Sequence, residues 1–277
     1  MLSNSRWIAF PAVLVWITLL SGRICCGQNE SPQPAFPDFK IESQVFIDRD
    51  HTPVCINQTM FNAGLVIDLQ FKNGANHPSE ICIYDSRNRK FILLNIEKQI
   101  RLNVDQLQLL RIAEAMKQEL RNSETTQALV FENFEEDFQQ KGNVVSVSNG
   151  VVSYVSRGIR PSVDSILVPY YEFLDQYAMI AVTDPQRMPP FARLKLNQTI
   201  KKYGLVPASI ELTVKSGNSN RANVEASSQH TISMSLTSQD LDRIKFAKKS
   251  WTQFRQVELP EYLNASVASR DTLSRKR

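Results

Sequence analysis

Glycine is scarce in this chain, nine residues in 277, and histidine is scarcer, with three. The glycines fall at 22, 27, 64, 74, 142, 150, 158, 204 and 217, and no two are two or four apart. That excludes the G-x-G-x-x-G loop, whose glycines let backbone approach a pyrophosphate. It also excludes the G-x-S-x-G elbow that lifts a nucleophilic serine out of a strand–helix turn. Only Gly22 and Gly27 are five apart, as a phosphate-cradling loop requires, and they follow an apolar N-terminal run. No nucleotide and no nucleotide-type cofactor is expected. His51, His77 and His230 make no H-E-x-x-H, and the four cysteines make no C-x-x-C. A composite of His51, Cys55, His77 and Cys82 would have to converge as a tetrahedron to hold zinc. The strand register derived below scatters those four, so no metal is expected.

A charge excess of one sign is also missing. Lys and Arg number 32 against 28 Asp and Glu. Much of the small basic surplus sits at Arg270, Arg275, Lys276 and Arg277. Nucleic-acid binding needs a concentrated basic face, so a near-neutral body argues against that partner.

What is present starts at the N-terminus. Arg6 precedes 14 uncharged, mostly apolar residues (7–20), and SGRICCG follows with Cys25 and Gly27 at −3 and −1 of a cut before Gln28. This is the n-, h- and c-layout of a secretory signal peptide. The rival is a retained membrane anchor; the 16 residues between Arg6 and Arg23 fall short of the roughly 20 that a spanning helix needs. Export to the periplasm or outside is expected, with 1–27 removed. Residues 28–38, QNESPQPAFPD, read as a flexible linker, 39–263 as one domain, and 264–277 as a disordered basic tail.

Within 39–263 the periodicity points to α+β. FKIESQVFI (39–47) is a first strand. In GLVIDLQFK, Leu65, Ile67, Leu69 and Phe71 alternate with Val66, Asp68, Gln70 and Lys72, the period of a strand buried on one face. EICIYD, KFILLNI and IRLNV follow behind short turns as an antiparallel meander. Asn103, with Gln106 three residues on, is the expected cap of a helix striped by Leu109, Ile112, Ala113, Met116 and Leu120. Asn149-Gly150 between Val/Ser runs is the strongest hairpin signal. A helix carries Tyr170, Tyr171, Leu174, Tyr177, Ala178 and Ala181; another opens at Pro189-Pro190 and closes at Gly204. Two strands at 208–214 and 226–236 precede a last helix, capped by Thr237 and Asp240, with Leu241, Ile244, Trp251 and Phe254 as its apolar side. The expected architecture is a curved antiparallel sheet, half-barrel-like, packed with about four helices.

In an exported protein two cysteines invite a disulfide. The 64–72 and 80–85 hairpin, however, sets Cys82 opposite a residue near Gln70, and leaves Cys55 roughly 15 residues away along an extended chain. Two unbridged thiols are expected.

EICIYDSRNRKFILLNIEKQIRLNVDQL (80–107) and PPFARLKLNQTIKKYGLVPASIELTV (189–214) resemble a family of exported proteins of unassigned function from planctomycete-type bacteria. They cover about a fifth of the chain, and the resemblance carries over no site residue. More loosely, an IYD…RKFILL meander behind a signal peptide looks like the half-barrel of the LolA-like lipoprotein carriers. That likeness implies a cavity for acyl chains between a curved sheet and its helices.

Other groupings read as ordinary structure. His230 lies beside Ser228 with Glu225 upstream, but nothing marks a nucleophile for a triad. Glu132, Glu135, Glu136 and Asp137 interleave with Phe131, Phe134 and Phe138 as a wet outer face over a buried inner one. The tyrosines read as packing residues. Lys201-Lys202 and Arg243, Lys245, Lys248 and Lys249 read as solvated faces, and sequons stand at Asn57, Asn197 and Asn264. No catalytic residue, cofactor or metal is assigned and no enzymatic activity is expected. The function expected is a non-enzymatic exported module holding a lipid or other amphiphile; the alternative is a structural or protein-interaction component of the cell envelope.

Overall fold

The computed structural model describes residues 36–48, 50–122, 133–184, 188–215 and 224–274, excepting the side chains of 267–274. The signal segment, 28–35 of the linker, Phe131, Glu132 and the last three residues lie outside them.

Two meanders make one sheet. The first comprises β1 (Phe39–Ile47), β2 (Cys55–Asn62), β3 (Leu65–Lys72), β4 (Glu80–Asp85), β5 (Lys90–Asn95) and β6 (Ile100–Asp105). The second comprises β7 (Glu135–Gln139), β8 (Val144–Ser148), β9 (Val152–Ile159), β10 (Val206–Val214) and β11 (Val224–Ser233). Each follows chain order, and β1 pairs antiparallel with β11 to join them. A two-residue strand, β12 (Arg255–Gln256), adds in parallel to β6. The result is an open, mostly antiparallel sheet of twelve strands with five helices: α1 (Gln106–Asn122), α2 (Leu167–Met179), α3 (Phe191–Lys202), α4 (Ser238–Gln253) and α5 (Leu259–Ser274).

The helices divide between the faces. Leu109 and Ala113 of α1, Tyr170 and Phe173 of α2, Leu196 and Ile200 of α3, and Tyr262 of α5 pack on the face bearing Phe61, Val66, Tyr84 and Val145. On the other face Ile244 and Ala247 of α4 cover Met60, Ile67, Leu69, Ile83 and Ile92. The first meander is therefore buried on both faces. Val66 and Asp68, expected on a wet face, are 1% and 3% exposed. The second meander keeps the simple alternation: Val145, Val147, Val152 and Tyr154 are buried while their neighbours are not. At its tip Gly150 has φ +85°, which an L side chain resists, and Asn149 Oδ1 accepts the amides of Val151 and Val152.

Other local expectations change. A strand at 55–62, missed because its polar CINQT start hides the pattern, pairs with β1 and β3. Asn103 lies inside β6 opposite Ile92, and Asp105 takes the capping role, its Oδ1 accepting the Gln108 amide at 2.7 Å. The stretch 264–274, expected as an unstructured tail, continues α5. Phe36, at the end of the expected linker, packs on Phe61 with ring centroids 6.3 Å apart.

The cysteines are unbridged, for a reason other than the one expected. The chain folds back at Ala63-Gly64, so Cys55 sits opposite Lys72 and Cys82 opposite Asp68. Two strand spacings and four residues then separate them by about 16 Å, against the ~7 Å a bridge tolerates.

The Thr237–Asp240 capping box forms as read, and it does more than cap. Asp240 is 1% exposed and both its oxygens accept from Lys40 Nζ of β1 at 3.0 Å. Burial alone would raise the Asp240 pKa; the Thr237 amide, the Thr237 hydroxyl and Lys40 outweigh it and hold the carboxylate below its usual range. This contact pins α4 to the sheet. Asp240→Ala removes the carboxylate half of the capping box and strands the Lys40 charge, so it should cost about 2–4 kcal/mol in urea unfolding. Asp242→Ala, whose side chain is 72% exposed, should cost no more than about 0.5 kcal/mol.

Candidate functional site

A pocket of about 360 Å³ lies between the sheet and the α2–α3 pair, across the β1–β11 junction. One wall is the stripe Tyr170, Phe173, Leu174, Tyr177, Ala178 and Ala181, spaced at three and four residues so that one side of α2 and the short turn after it faces the sheet. The floor is a row of alternate strand residues: Ile41, Ser43 and Val45 of β1, Asn57 and Thr59 of β2, Asp68 of β3, Tyr154 of β9, and Ser228 and His230 of β11. Register sets this row, because Ser43 lies opposite both His230 and Asn57, and Thr59 lies opposite both Ile41 and Asp68. Met188, Pro189, Pro190 and Arg193, at the entry of α3, complete the lining.

Polar groups on the floor are largely satisfied. His230 stands between two serines, with Ser43 Oγ 2.7 Å from Nδ1 and Ser228 Oγ 2.9 Å from Nε2. Burial first, and the nearby Arg193 charge second, push its pKa down to about 4, so the ring is neutral at pH 7. One nitrogen then donates and the other accepts. Asp68 accepts from Thr59 Oγ1 at 2.6 Å and Tyr177 Oη at 3.0 Å. Burial raises its pKa, opposed by those two hydrogen bonds. Arg193 donates from Nε to Asn197 Oδ1 at 3.1 Å, one turn along α3. Among the described residues no carboxylate lies within ion-pair distance of it.

A hydroxyl on a histidine is half of a hydrolytic apparatus. Here the other ring nitrogen meets a second hydroxyl instead of the carboxylate that would orient and stabilise an imidazolium. Glu225 cannot supply one, since it lies five positions from His230 along β11, an odd offset that puts it on the opposite face. An imidazole with a pKa near 4 is also a poor general base at neutral pH.

The remaining expected residues are dispersed. His51 and His77 are exposed, Cys55 and Cys82 lie on β2 and β4, and the described residues hold no cluster of three or more metal-ligating side chains. Glu135, Glu136 and Asp137 are all exposed, and Glu136 pairs with Lys202 and Lys195 of α3 at 2.7 and 2.9 Å, which lowers its pKa to about 2. Lys202 is thus engaged. So is Arg243, which donates to Gln58 Oε1 at 2.6 Å and lies over the Phe71 ring. Leu241, expected on the inner side of α4, is 41% exposed. Asn197 is 2% exposed and closed to glycosylation. Tyr171 is core, its hydroxyl bonded to Leu205 O. Ser43, Asp68 and Arg193 belong to no motif and were not expected. An acid centred in an apolar strand was the one available signal, for Asp68.

No described helix is long and apolar enough to cross a membrane.

The histidine gives a pH test. A base whose folded pKa is depressed contributes stability that is full above its unfolded pKa near 6.5 and is lost as pH falls toward the folded value near 4. Unfolding free energy should fall by up to about 3 kcal/mol over that window, by a slope that His230→Gln lacks. Imidazole NMR should give a midpoint near 4; a midpoint at 6 or above would place the ring in water.

No protein-family model and no curated protein matches the chain. Among solved structures it is similar to the crystal structure of a DnaN sliding clamp (DNA polymerase III subunit beta) from Bartonella birtlesii bound to griselimycin, at 9% identity and a TM-score of 0.12. The match covers 78% of this chain and 62% of that one, so it spans less than two thirds of the clamp chain. A score that low carries no argument about fold or function.

Proposed function

We propose that this is an exported, non-enzymatic module that holds an apolar or amphiphilic molecule between its sheet and helices α2 and α3. It would act beyond a leader removed near Gly27, its sheet curled about α2 in half-barrel fashion. The observation that carries the reading is the pocket of about 360 Å³ walled by Phe173, Leu174, Ala178 and Ala181. That volume lies within the range of small-molecule sites, roughly 300–1,000 Å³. It is more than twice the ~150 Å³ of an engineered apolar cavity that takes up benzene. The seating of α2 supports the half-barrel reading: Phe173 packs edge-on to Phe61 of β2 at 5.7 Å, Tyr177 reaches β3, and Tyr171 reaches the chain entering β10. The satisfied hydroxyl partners of His230 and Asp68 support binding over catalysis, because neither group is poised to take a proton from a substrate. An envelope component without a ligand would need no such void.

Filling the void is the test. Ala178→Trp places an indole in the pocket from the sheet-facing side of α2. It should abolish binding of a fluorescent polyene fatty acid while leaving the melting temperature within about 4 °C, the upper end of the shift that roughly 1 kcal/mol produces in a domain of this size. Native mass spectrometry of the gently purified protein should show a bound mass that the variant lacks. A wild-type protein that is always empty and binds no such probe overturns the reading.

A further inference from the structure

The pocket has a sign. Arg193 is the only described lining residue with a fixed charge at neutral pH that no partner neutralises. Asp68, the sole acid of the lining, is buried beneath the Thr59 and Tyr177 hydroxyls. His230 is held neutral between its two serines. On α2, Asp175 is close enough to feel the Arg193 charge, together with that of Lys201, but Asp175 and Arg193 form no ion pair. The Asn197 bond occupies Arg193 Nε, leaving the two terminal amino groups, a matched pair of donors for a carboxylate.

Resting on the reading above, we propose that the occupant is an amphiphile with one anionic oxygen-acid head, a carboxylate paired with Arg193, and an apolar body lying along Phe173, Leu174 and Ala178. Charge complementarity at the α3 entry and apolarity deeper in fix one orientation, head toward Pro190 and tail toward α2. A cationic amphiphile meets an uncompensated like charge there. A neutral one leaves the guanidinium dehydrated without a partner, which costs affinity.

The experiment uses the full-length protein after export and four probes of one chain length: dodecanoate, dodecanol, methyl dodecanoate and dodecylamine, each below its micelle concentration. In competition against the fluorescent fatty acid, dodecanoate should bind at least about tenfold tighter than the alcohol and the ester, the scale of one charge-assisted hydrogen bond. The amine should bind weakest. Arg193→Met should bring dodecanoate down to the alcohol and bind the alcohol at least as tightly as the wild type does, since no charge is left dehydrated; Arg193→Lys, which keeps charge but loses the fork, should keep part of the preference. A circular-dichroism melting curve matching that of the wild type shows that Arg193→Met is folded. Equal affinity for acid and alcohol in the wild type, or tightest binding of the amine, overturns the anionic head and leaves the ligand-holding reading standing. Failure of all four probes sinks both.

Discussion

The β1–β11 pairing is the contact on which the rest of the molecule depends. It joins residues nearly two hundred positions apart, from Lys40 opposite Ser233 to Ile47 opposite Ala226, and fuses two locally formed meanders into one sheet. Everything else in each meander pairs with its neighbour in sequence, which is cheap in loop entropy. This seam closes the longest loop of any strand pair in the sheet. The pocket straddles it: Ser43 on one side and His230 on the other share a hydrogen bond across it. The site is thus a product of the most non-local pairing in the sheet, and neither meander alone contains it.

The two halves differ in how they are covered, and that difference decided what could be read from sequence. In the second meander only one face is packed, so VVSVS and VVSYVS show plain alternation, and the Asn149-Gly150 turn, α2 and α3 were legible. In the first, α4 returns from the far end of the chain to cover the opposite face. Strands buried twice read as nearly continuous apolar runs, as EICIYD and KFILLN do. The alternation in β3 looked one-sided only because Asp68 and Gln70 interrupt it. No local rule says that α2, about a hundred residues later, will bury Asp68 beneath Tyr177. β2 was lost for a related reason: its first half, CINQT, faces the pocket and β1 with polar groups that a half-buried strand would not carry. The fivefold helix count, against the four expected, has the same origin, since α5 carries little apolar stripe and is recognisable only once it docks at Tyr262.

The site itself was almost illegible, because its chemistry is made of common residues rather than a motif. Ser43, Thr59 and Ser228 are unremarkable strand residues until register places each against an ionisable partner. Those partners show why the pocket can be both polar-lined and apolar in character. A buried carboxyl and a buried imidazole are each costly alone; two hydroxyls apiece offset part of that cost. The α2 stripe was visible as helical spacing, but a stripe that packs and a stripe that lines a void look the same in sequence. Only the distance between α2 and the sheet separates them.

That distance follows from the anchors of α2, whose bulky contacts sit at its edges. Tyr171 is tied to the chain before β10, Phe173 wedges against Phe61 and Tyr84, and Tyr177 is bonded to Asp68. Between these props the helix presents Leu174, Ala178 and Ala181, and the last two are too short to span the gap to the floor. Opposite them the floor offers Ser43, Asn57 and Ser228, also short. Two small surfaces held apart by aromatic pillars leave a space that the chain cannot fill by collapse without unseating Phe173 or burying an unpaired Asp68. The void is therefore stabilised by the same contacts that build the core around it. A molecule that enters it gains apolar burial without disturbing those contacts.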